Sequence, residues 1–533
     1  MQYTFSVKEV RQADQILLAA GAPLMEQAAY GLANCIIREL REANFRIPGS
    51  TVLILAGKGN NGGDALYAGA YLAQRGMHVN AVAVSGAHEA GMRAAKRANV
   101  QIIESPSEDQ LRELARGCGI WVDGLLGIGA RGEIREPFSS WIRVLNAERF
   151  CWPPSLKIFA VDIPSGIAAD TGKLLGAVLP ADVTVTMGCM KTGMLLPPAA
   201  KLCGRIEVIN LGYERFLLNA AQMPRVCRIG SGDLQDVLFS PLPQDHKYSR
   251  GVLSVNTGSA QYPGAGVLSV GAALRTGIGM LRYCGGIKDE ILRAYPEVVA
   301  HAGNSDAWLI GSGMTDFASA QKSYQQAAEQ KAAAVLDAGA INLLAGSAAQ
   351  TLTVITPHAG ELVKLLRTFP DFAQVDVSEI NANPAYYAKT TAELTQAAVV
   401  LKGSVTLIAT PKGDIFTQGP ATPWLATAGS GDVLAGIIAA LAANWNAAVI
   451  RSNPADSQTR QDYFAIAKIA AGGVEIHARA AALAAKAVRQ QEIMTFQPRR
   501  IMCSGKPIIA GDIIEMIADV LYAVLNPVQD VSE

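Results

Sequence analysis

Short apolar runs alternate along this chain with longer stretches whose apolar positions recur at helical spacing. The runs Val52–Leu55, Val79–Val84, Ile120–Val122, Ile158–Val161, Val183–Thr186 and Ile206–Ile209 are of strand length, and an amphipathic helix is predicted ahead of them over Ser6–Ala19. Apolar strands separated by helix-length segments predict βα units and a parallel sheet covered by helices. The rhythm lapses near residues 212–230 and then restarts with Gly251–Val255, Trp308–Ile310, Ala334–Asp337, Thr353–Thr356, Ala398–Lys402 and Thr406–Ala409. Two α/β domains are therefore expected, 1–220 and 221–533, since 533 residues exceed what one ordinary core organises. No short-period repeat is present, and the tail from Asn526 is expected to fray.

Composition narrows the class. Half the residues are hydrophobic and 17% are charged, so large cores can be buried. Equal numbers of basic and acidic residues, 46 each, give no general attraction to nucleic acid or an anionic membrane, and any anion site must be local. The N-terminus lacks a basic segment followed by an apolar one, and no uncharged apolar run reaches spanning length. Alanine-rich stretches such as Ala478–Ala487 read as close helix packing. The cysteines (Cys35, Cys118, Cys151, Cys189, Cys203, Cys227, Cys284, Cys503) occur singly, which predicts reduced, mostly buried thiols and a cytoplasmic protein.

Two glycine-rich turns carry the candidate chemistry. In the first half, Gly57-Lys58-Gly59-Asn60-Asn61-Gly62-Gly63-Asp64 follows an apolar strand and leads into a helix, whose free N–H groups and dipole favour an anion. Asp123 ends a second strand ahead of another glycine loop, Gly127-Ile128-Gly129-Ala130-Arg131-Gly132-Glu133. Asp162 ends a third, followed by Ile163-Pro164-Ser165-Gly166. Any one acid could be a helix cap or turn former. All of these strand-end loops would converge on one crevice at the carboxyl edge of the sheet.

With Met187-Gly188-Cys189-Met190-Lys191-Thr192-Gly193, these segments resemble the epimerase domain of the NAD(P)H-hydrate repair enzymes over nearly all of residues 1–220. The resemblance implies that Asn61, Asp123 and Ser165 coordinate a potassium ion. It also implies that Asn60, Asn61, Gly62, Gly63, Asp64, Gly127–Glu133 and Asp162 contact a hydrated dinucleotide, with Asp162 as acid/base. Oxygen ligands suit a hard cation, and a positioned carboxylate can move a proton. The chain departs from the family at Ala65, where a glycine usually completes the loop.

In the second half, Asn256-Thr257-Gly258 follows a strand, and Gly264-Ala265-Gly266 opens a helix rich in small residues. Gly311-Ser312-Gly313 ends another strand, Pro357-His358-Ala359-Gly360-Glu361 opens a helix, and Lys402-Gly403-Ser404-Val405-Thr406 joins two strands. Gly429-Ser430-Gly431-Asp432 starts a further helix. A lone His in such a turn usually caps or faces solvent, and a lone Lys is usually surface charge. An aspartate beside free N–H groups at a helix start combines a base with an anion hole, as phosphoryl transfer to a hydroxyl requires.

This set, from Asp233 to Leu525, resembles the dehydratase domain of the same enzymes, which has a ribokinase-like fold. The resemblance implies hydrate contacts at Ala265, Gly313, His358 and Asp432, with Asp432 catalytic. It places an adenine nucleotide, ADP or ATP with Mg2+, at Lys402, Gly403, Ser404, Val405, Thr406 and Gly431. Ala359 stands where the family has proline, and Ala338-Gly339-Ala340 lacks the second acid of the family's Asp-Ala-Asp run, so no catalytic role is expected of Asp337. The expected architecture is a Rossmann-like α/β/α parallel-sheet domain followed by a ribokinase-like α/β domain. The implied function is epimerisation of NADHX and NADPHX and nucleotide-driven dehydration of the S epimer, in a homo-oligomer. Two alternatives stay open: a C-terminal small-molecule kinase, and an N-terminal non-catalytic scaffold module.

Overall fold

The computed structural model describes residues 1–149, 156–217, 225–452, 462–486, 496–497, 500–501 and 505–527. Cys151, Cys503, part of the expected boundary and the end of the tail lie outside the described residues. The chain divides into two compact units, Tyr3–Met223 with Gln491–Met502, and Met1–Gln2 with Pro224–Gln490 and Cys503–Glu533. The free thiols Cys35, Cys118, Cys189, Cys203 and Cys227 are buried, and Cys284 is partly so.

The N-terminal unit opens with α1 (Val7–Ala19) and α2 (Leu24–Glu42). Ser6 and Glu9 cap α1 reciprocally, satisfying N–H groups that the first turn leaves free. The sheet strands are β1 (Thr51–Ala56), β2 (His78–Ala83), β3 (Gln101–Glu104), β4 (Ile120–Gly124), β5 (Lys157–Val161), β6 (Val183–Met187) and β7 (Arg205–Ile209). Their order is β3-β2-β1-β4-β5-β6-β7, parallel throughout. Helix α3 (Asn60–Gln74) connects β1 to β2 on one side, whereas β4 lies on the other side of β1. That reversal opens a crevice at the carboxyl ends of β1 and β4. The central strand β1 has no exposed residue, as a sheet covered on both faces requires.

In the C-terminal unit the strands are β8 (Val226–Arg228), β9 (Val252–Asn256), β10 (Met280–Tyr283), β11 (Ala307–Ile310), β12 (Ala333–Leu336), β13 (Thr353–Ile355), β14 (Ala398–Leu401), β15 (Thr406–Ala409) and β16 (Ile415–Gln418). The order is β10-β9-β11-β12-β13-β14-β15-β16-β8. Pairing is parallel from β10 to β14 and antiparallel from β14 through β15 to β16. Again the direction of winding reverses, here between β9 and β11.

Helices α4 (Pro263–Arg275), α5 (Ala359–Leu366), α6 (Ser430–Ser452) and α7 (Tyr463–Ala485) flank this sheet. Helix α6 packs closely on α4, because a Cβ on Gly436 would lie 2.4 Å from the Ser269 carbonyl oxygen. Contrary to the expectation that no apolar run reaches spanning length, Ser430–Val449 has the length and mean hydropathy, 1.4, of a membrane span, and 83% of that window is buried within the protein. Its apolar surface serves core packing.

Candidate active sites

The first crevice depends on missing side chains. A Cβ on Gly57 would lie 1.9 Å from the Leu125 carbonyl oxygen, and one on Gly62 would lie 2.1 Å from that of Gly57. Without them, the loops after β1 and β4 close together, and Gly57 N–H donates to Gly124 at 3.1 Å. Asn60, Asn61, Gly62, Gly63 and Asp64 form the first turns of α3. Ala65 is fully buried, and its methyl packs where Gly124 has no side chain.

Asn61, Asp123 and Ser165 meet beneath this turn. Asp123, wholly buried, accepts hydrogen bonds from Ser165 N at 2.8 Å, Ser165 Oγ at 2.6 Å and Leu125 N at 3.2 Å. The Ser165 hydroxyl in turn accepts from Leu126 N at 2.9 Å. Asn61 Nδ2 donates to the carbonyls of Val161 at 2.7 Å and Leu126 at 3.3 Å. Burial pushes the Asp123 carboxyl above its usual range, against the opposing pull of the Ser165 hydrogen bonds. The loops after β1, β4 and β5 are thus tied together through Asn61, Asp123 and Ser165.

Asp162 stands beside them with φ of +65°, a left-handed conformation that is unfavourable for a residue with a Cβ. Its Oδ1 receives Met187 N at 3.0 Å, Thr186 Oγ1 at 3.2 Å and the Lys191 ammonium. Oδ2 has no hydrogen-bond partner among the described residues. Lys191 is 1% exposed and also donates to Thr186 Oγ1 and the Met187 carbonyl, each at 2.9 Å. The short parallel pairing of Thr4 and Phe5 with Met190 and Lys191 fixes the lysine backbone. Asp64 is 7% exposed; burial, then the charges of Asp162 and Asp14, push its carboxyl well above the ordinary range.

The Gly127–Glu133 loop turns with Ala130 N donating to Gly127 at 3.0 Å, and Gly132 takes φ of +69°. Gly127 approaches the Asn61 side chain so closely that a Cβ would lie 2.4 Å from Oδ1. Ile128 packs against the core, while Gly129, Arg131 and Glu133 are exposed. Ala130, Arg131, Gly132 and Glu133 line a cavity of about 490 Å³ together with Lys58 and Ser85.

In the C-terminal unit, Ala265 in the first turn of α4 faces Gly313 (φ +66°), where a Cβ would lie 2.5 Å from the Ala265 methyl. These expected hydrate contacts are neighbours. His358 caps α5: its Nδ1 accepts from Gly360 N at 3.0 Å and Glu361 N at 3.3 Å. That fixes Nδ1 as acceptor and leaves Nε2 to carry the proton of the neutral ring. Nε2 lies 3.6 Å from Glu361 Oε1, and the side chain is 60% exposed.

Asp432 lies in the first turn of α6, and a Cβ on neighbouring Gly431 would be 3.5 Å from Lys402 Nζ. Lys402 N donates to the Pro357 carbonyl at 2.8 Å, joining the ends of β13 and β14. Gly403, Ser404 and Val405 form the turn into β15, closed by Thr406 Oγ1 donating to Gly403 at 3.3 Å. Burial pushes the Asp432 carboxyl up to about 7; Asp337 and Glu361 add to this, while Lys402 and the Ser312 hydroxyl oppose it.

Asp337, of which no catalytic role was expected, lies at this site, 3.1 Å from Lys402 Nζ. Ser312, Thr356 and Glu361, to which no role had been given, lie there too. Their placement at strand ends, or one turn beyond, was the available signal.

The family described as "YjeF-related protein N-terminus" matches residues 21–193, and "NAD(P)H-hydrate dehydratase" matches residues 253–504. The bifunctional NAD(P)H-hydrate repair enzyme Nnr of Mycobacterium leprae is 33% identical, covering 83% of this chain and 89% of its own. The NAD(P)H-hydrate epimerase of Clavibacter michiganensis is 40% identical over 42% of this chain and 96% of its own. Among solved structures, the ADP/ATP-dependent NAD(P)H-hydrate dehydratase of Bacillus subtilis, co-crystallised with ATP/Mg2+, aligns at 23% identity. It covers 57% of this chain and 99% of its own, with a TM-score of 0.43. With both domain families present in order and a full-length relative matched across most of both chains, this chain belongs to the bifunctional NAD(P)H-hydrate repair enzymes.

Proposed function

We infer that this chain restores hydrated NADH and NADPH in two steps, each performed by one of its units. In the N-terminal unit the R and S epimers interconvert, and Asp162 is the acid/base. Among the described residues, the hydrogen bonds its carboxylate accepts all fall on Oδ1, so Oδ2 remains to meet the substrate. The start of α3, from Asn60 to Asp64, and the Gly127–Glu133 loop hold the dinucleotide's phosphates and ribose. Arg131 supplies charge, and the backbone N–H groups supply donors. A potassium ion would be held by the oxygens of Asp123 and Ser165, with the Asn61 amide turned so that Oδ1, instead of the Nδ2 that donates to the Val161 carbonyl, joins them. When bound, it would neutralise Asp123 and tie the strand-end loops together.

In the C-terminal unit Asp432 takes the proton of the S-hydrate's hydroxyl as that oxygen attacks the terminal phosphoryl group of ADP or ATP. The N–H groups at the start of α6, with Lys402, receive the phosphoryl charge. The ring nitrogen's lone pair then expels phosphate, and the adjacent ring carbon loses a proton to give NAD(P)H. Phosphorylation turns hydroxide, a poor leaving group, into a good one. No group of three or more His, Cys, Asp or Glu side chains among the described residues could hold a metal, so Mg2+ would arrive with the nucleotide's phosphates. The free, buried thiols support a cytoplasmic location.

The observation that carries the C-terminal reading is the juxtaposition of Asp432, Lys402 and the α6 N-terminus. Incubating the protein with S-hydrate and ADP, then separately ATP, tests it. Return of reduced-nicotinamide absorbance with release of one phosphate per molecule supports dehydration. A stable phosphate ester without that absorbance would identify a kinase instead.

A further inference from the structure

Asp337 follows β12, and the reaction above gives it no task. It is 3% exposed, yet both carboxylate oxygens are engaged. Oδ1 accepts from Thr356 Oγ1 at 2.6 Å and lies 3.1 Å from Lys402 Nζ; Oδ2 accepts from Ser312 Oγ at 2.7 Å. Those partners come from the ends of β11, β13 and β14, so one carboxylate ties together the strand edges surrounding the start of α6. A fold needing only an acceptor here could use a neutral amide. Burying a charge is costly unless it is paired, and this one is paired with an ammonium that reaches the Gly431 turn.

We propose that Asp337 is a positioning residue for dehydration: it aims the Lys402 ammonium into the anion site at the start of α6 and sets the ionic surroundings of Asp432. The proposal rests on the assignment of Asp432 as base. Lys402 has a second, longer ionic neighbour, Glu361 Oε2 at 3.7 Å, so without Asp337 the ammonium would swing toward α5 and away from the phosphoryl group. The charged groups bearing on Asp432 are Asp337 after β12, Lys402 after β14 and Glu361 on α5. His477 on α7, which feels the Lys402 charge, is held neutral, its imidazole pushed down to about 4 chiefly by burial. Asp337 outweighs both Glu361 and the opposing Lys402 among the charges acting on Asp432, so removing it moves the Asp432 titration to lower pH even with the ammonium displaced.

The test compares Asp337→Asn with Thr356→Val in the full-length protein. Asp337→Asn should lower dehydration kcat by about 10-fold or more, the scale of a misdirected transition-state charge. KM for ADP should change less than kcat, and the acidic limb of the kcat profile should move to lower pH. Thr356→Val removes a hydrogen bond to the same carboxylate but no charge, and should leave that limb in place. An unmoved limb in Asp337→Asn, with kcat falling only in step with thermal stability, would overturn the proposal and leave Asp337 a structural tie. If Asp337→Asn does not fold, Asp337→Glu decides: its charge is kept but displaced, so the limb should stay while kcat falls, and wild-type kcat would overturn the proposal. Failure of the underlying reading looks different, because Asp432→Asn would then retain dehydration.

Discussion

Replacing Lys191 with methionine separates an electrostatic from a merely space-filling role at the first site. The two side chains are close in length, so the hydrophobic packing of the stem is kept while the ammonium is lost. Lys191 and Asp162 are both almost inaccessible, and solvent screens their interaction little. Breaking a buried pair by removing one partner generally costs about 3–5 kcal/mol, because the remaining charge is stranded. Here Asp162 keeps Met187 N–H at 3.0 Å and the Thr186 hydroxyl at 3.2 Å, which places the expected loss at the lower end, about 3 kcal/mol. The Met187 carbonyl also loses a donor. Urea unfolding followed by a signal from the N-terminal unit should show this loss at pH 8. Epimerisation should fall with it, while dehydration of pure S-hydrate should not. A loss below about 1 kcal/mol would refute the assignment of Lys191 as the counter-charge of Asp162.

At the second site, Asp432→Asn should lower dehydration by about 10²–10⁴-fold, the scale of a lost general base, with nucleotide binding and epimerisation close to wild type. Retention of more than about a tenth of the rate would remove Asp432 from the mechanism. Because the base acts when ionised and its carboxyl is raised to about 7, dehydration kcat in the wild type should climb through neutral pH; a flat profile between pH 5 and 8 would contradict this. Gly57→Ala places a methyl 1.9 Å from the Leu125 carbonyl, so the β1 and β4 loops must part. Epimerisation should collapse while dehydration of the S epimer survives, and unchanged epimerisation would show that the two loops need not touch.

Interior strands were legible because parallel strands buried on both faces read as unbroken apolar runs, as Val52–Leu55 and Ile158–Val161 do. The strands missed, Val226–Arg228 and Ile415–Gln418 among them, lack an unbroken apolar run. Gln101–Glu104 lies at a sheet edge with polar residues at both ends, and Met280–Tyr283, also at an edge, carries Arg282. Antiparallel pairing of β14 with β15 was implicit in the short Lys402–Val405 link, too brief for a crossover, but the alternating pattern drew attention to parallel units. The Asp162–Lys191 pair was beyond sequence reasoning, because a separation of 29 residues says nothing about contact until the β5 and β6 ends are placed side by side. Asp337 was set aside because it lacked a companion acid, although an acid at a strand's carboxyl end was the feature that had drawn attention to Asp123.

The central claim is that one chain holds two independent active sites working in series. Two point variants of the full-length protein test it, Asp162→Asn and Asp432→Asn, each supplied with mixed epimers of NADHX and with ADP. Alone, Asp162→Asn should consume the S epimer and stall apart from slow spontaneous epimerisation, and Asp432→Asn should interconvert the epimers without producing NADH. Mixed in one cuvette, they should consume both epimers completely. Rapid consumption of both epimers by Asp162→Asn alone, or a mixture that stalls where Asp162→Asn stalls, would contradict the account.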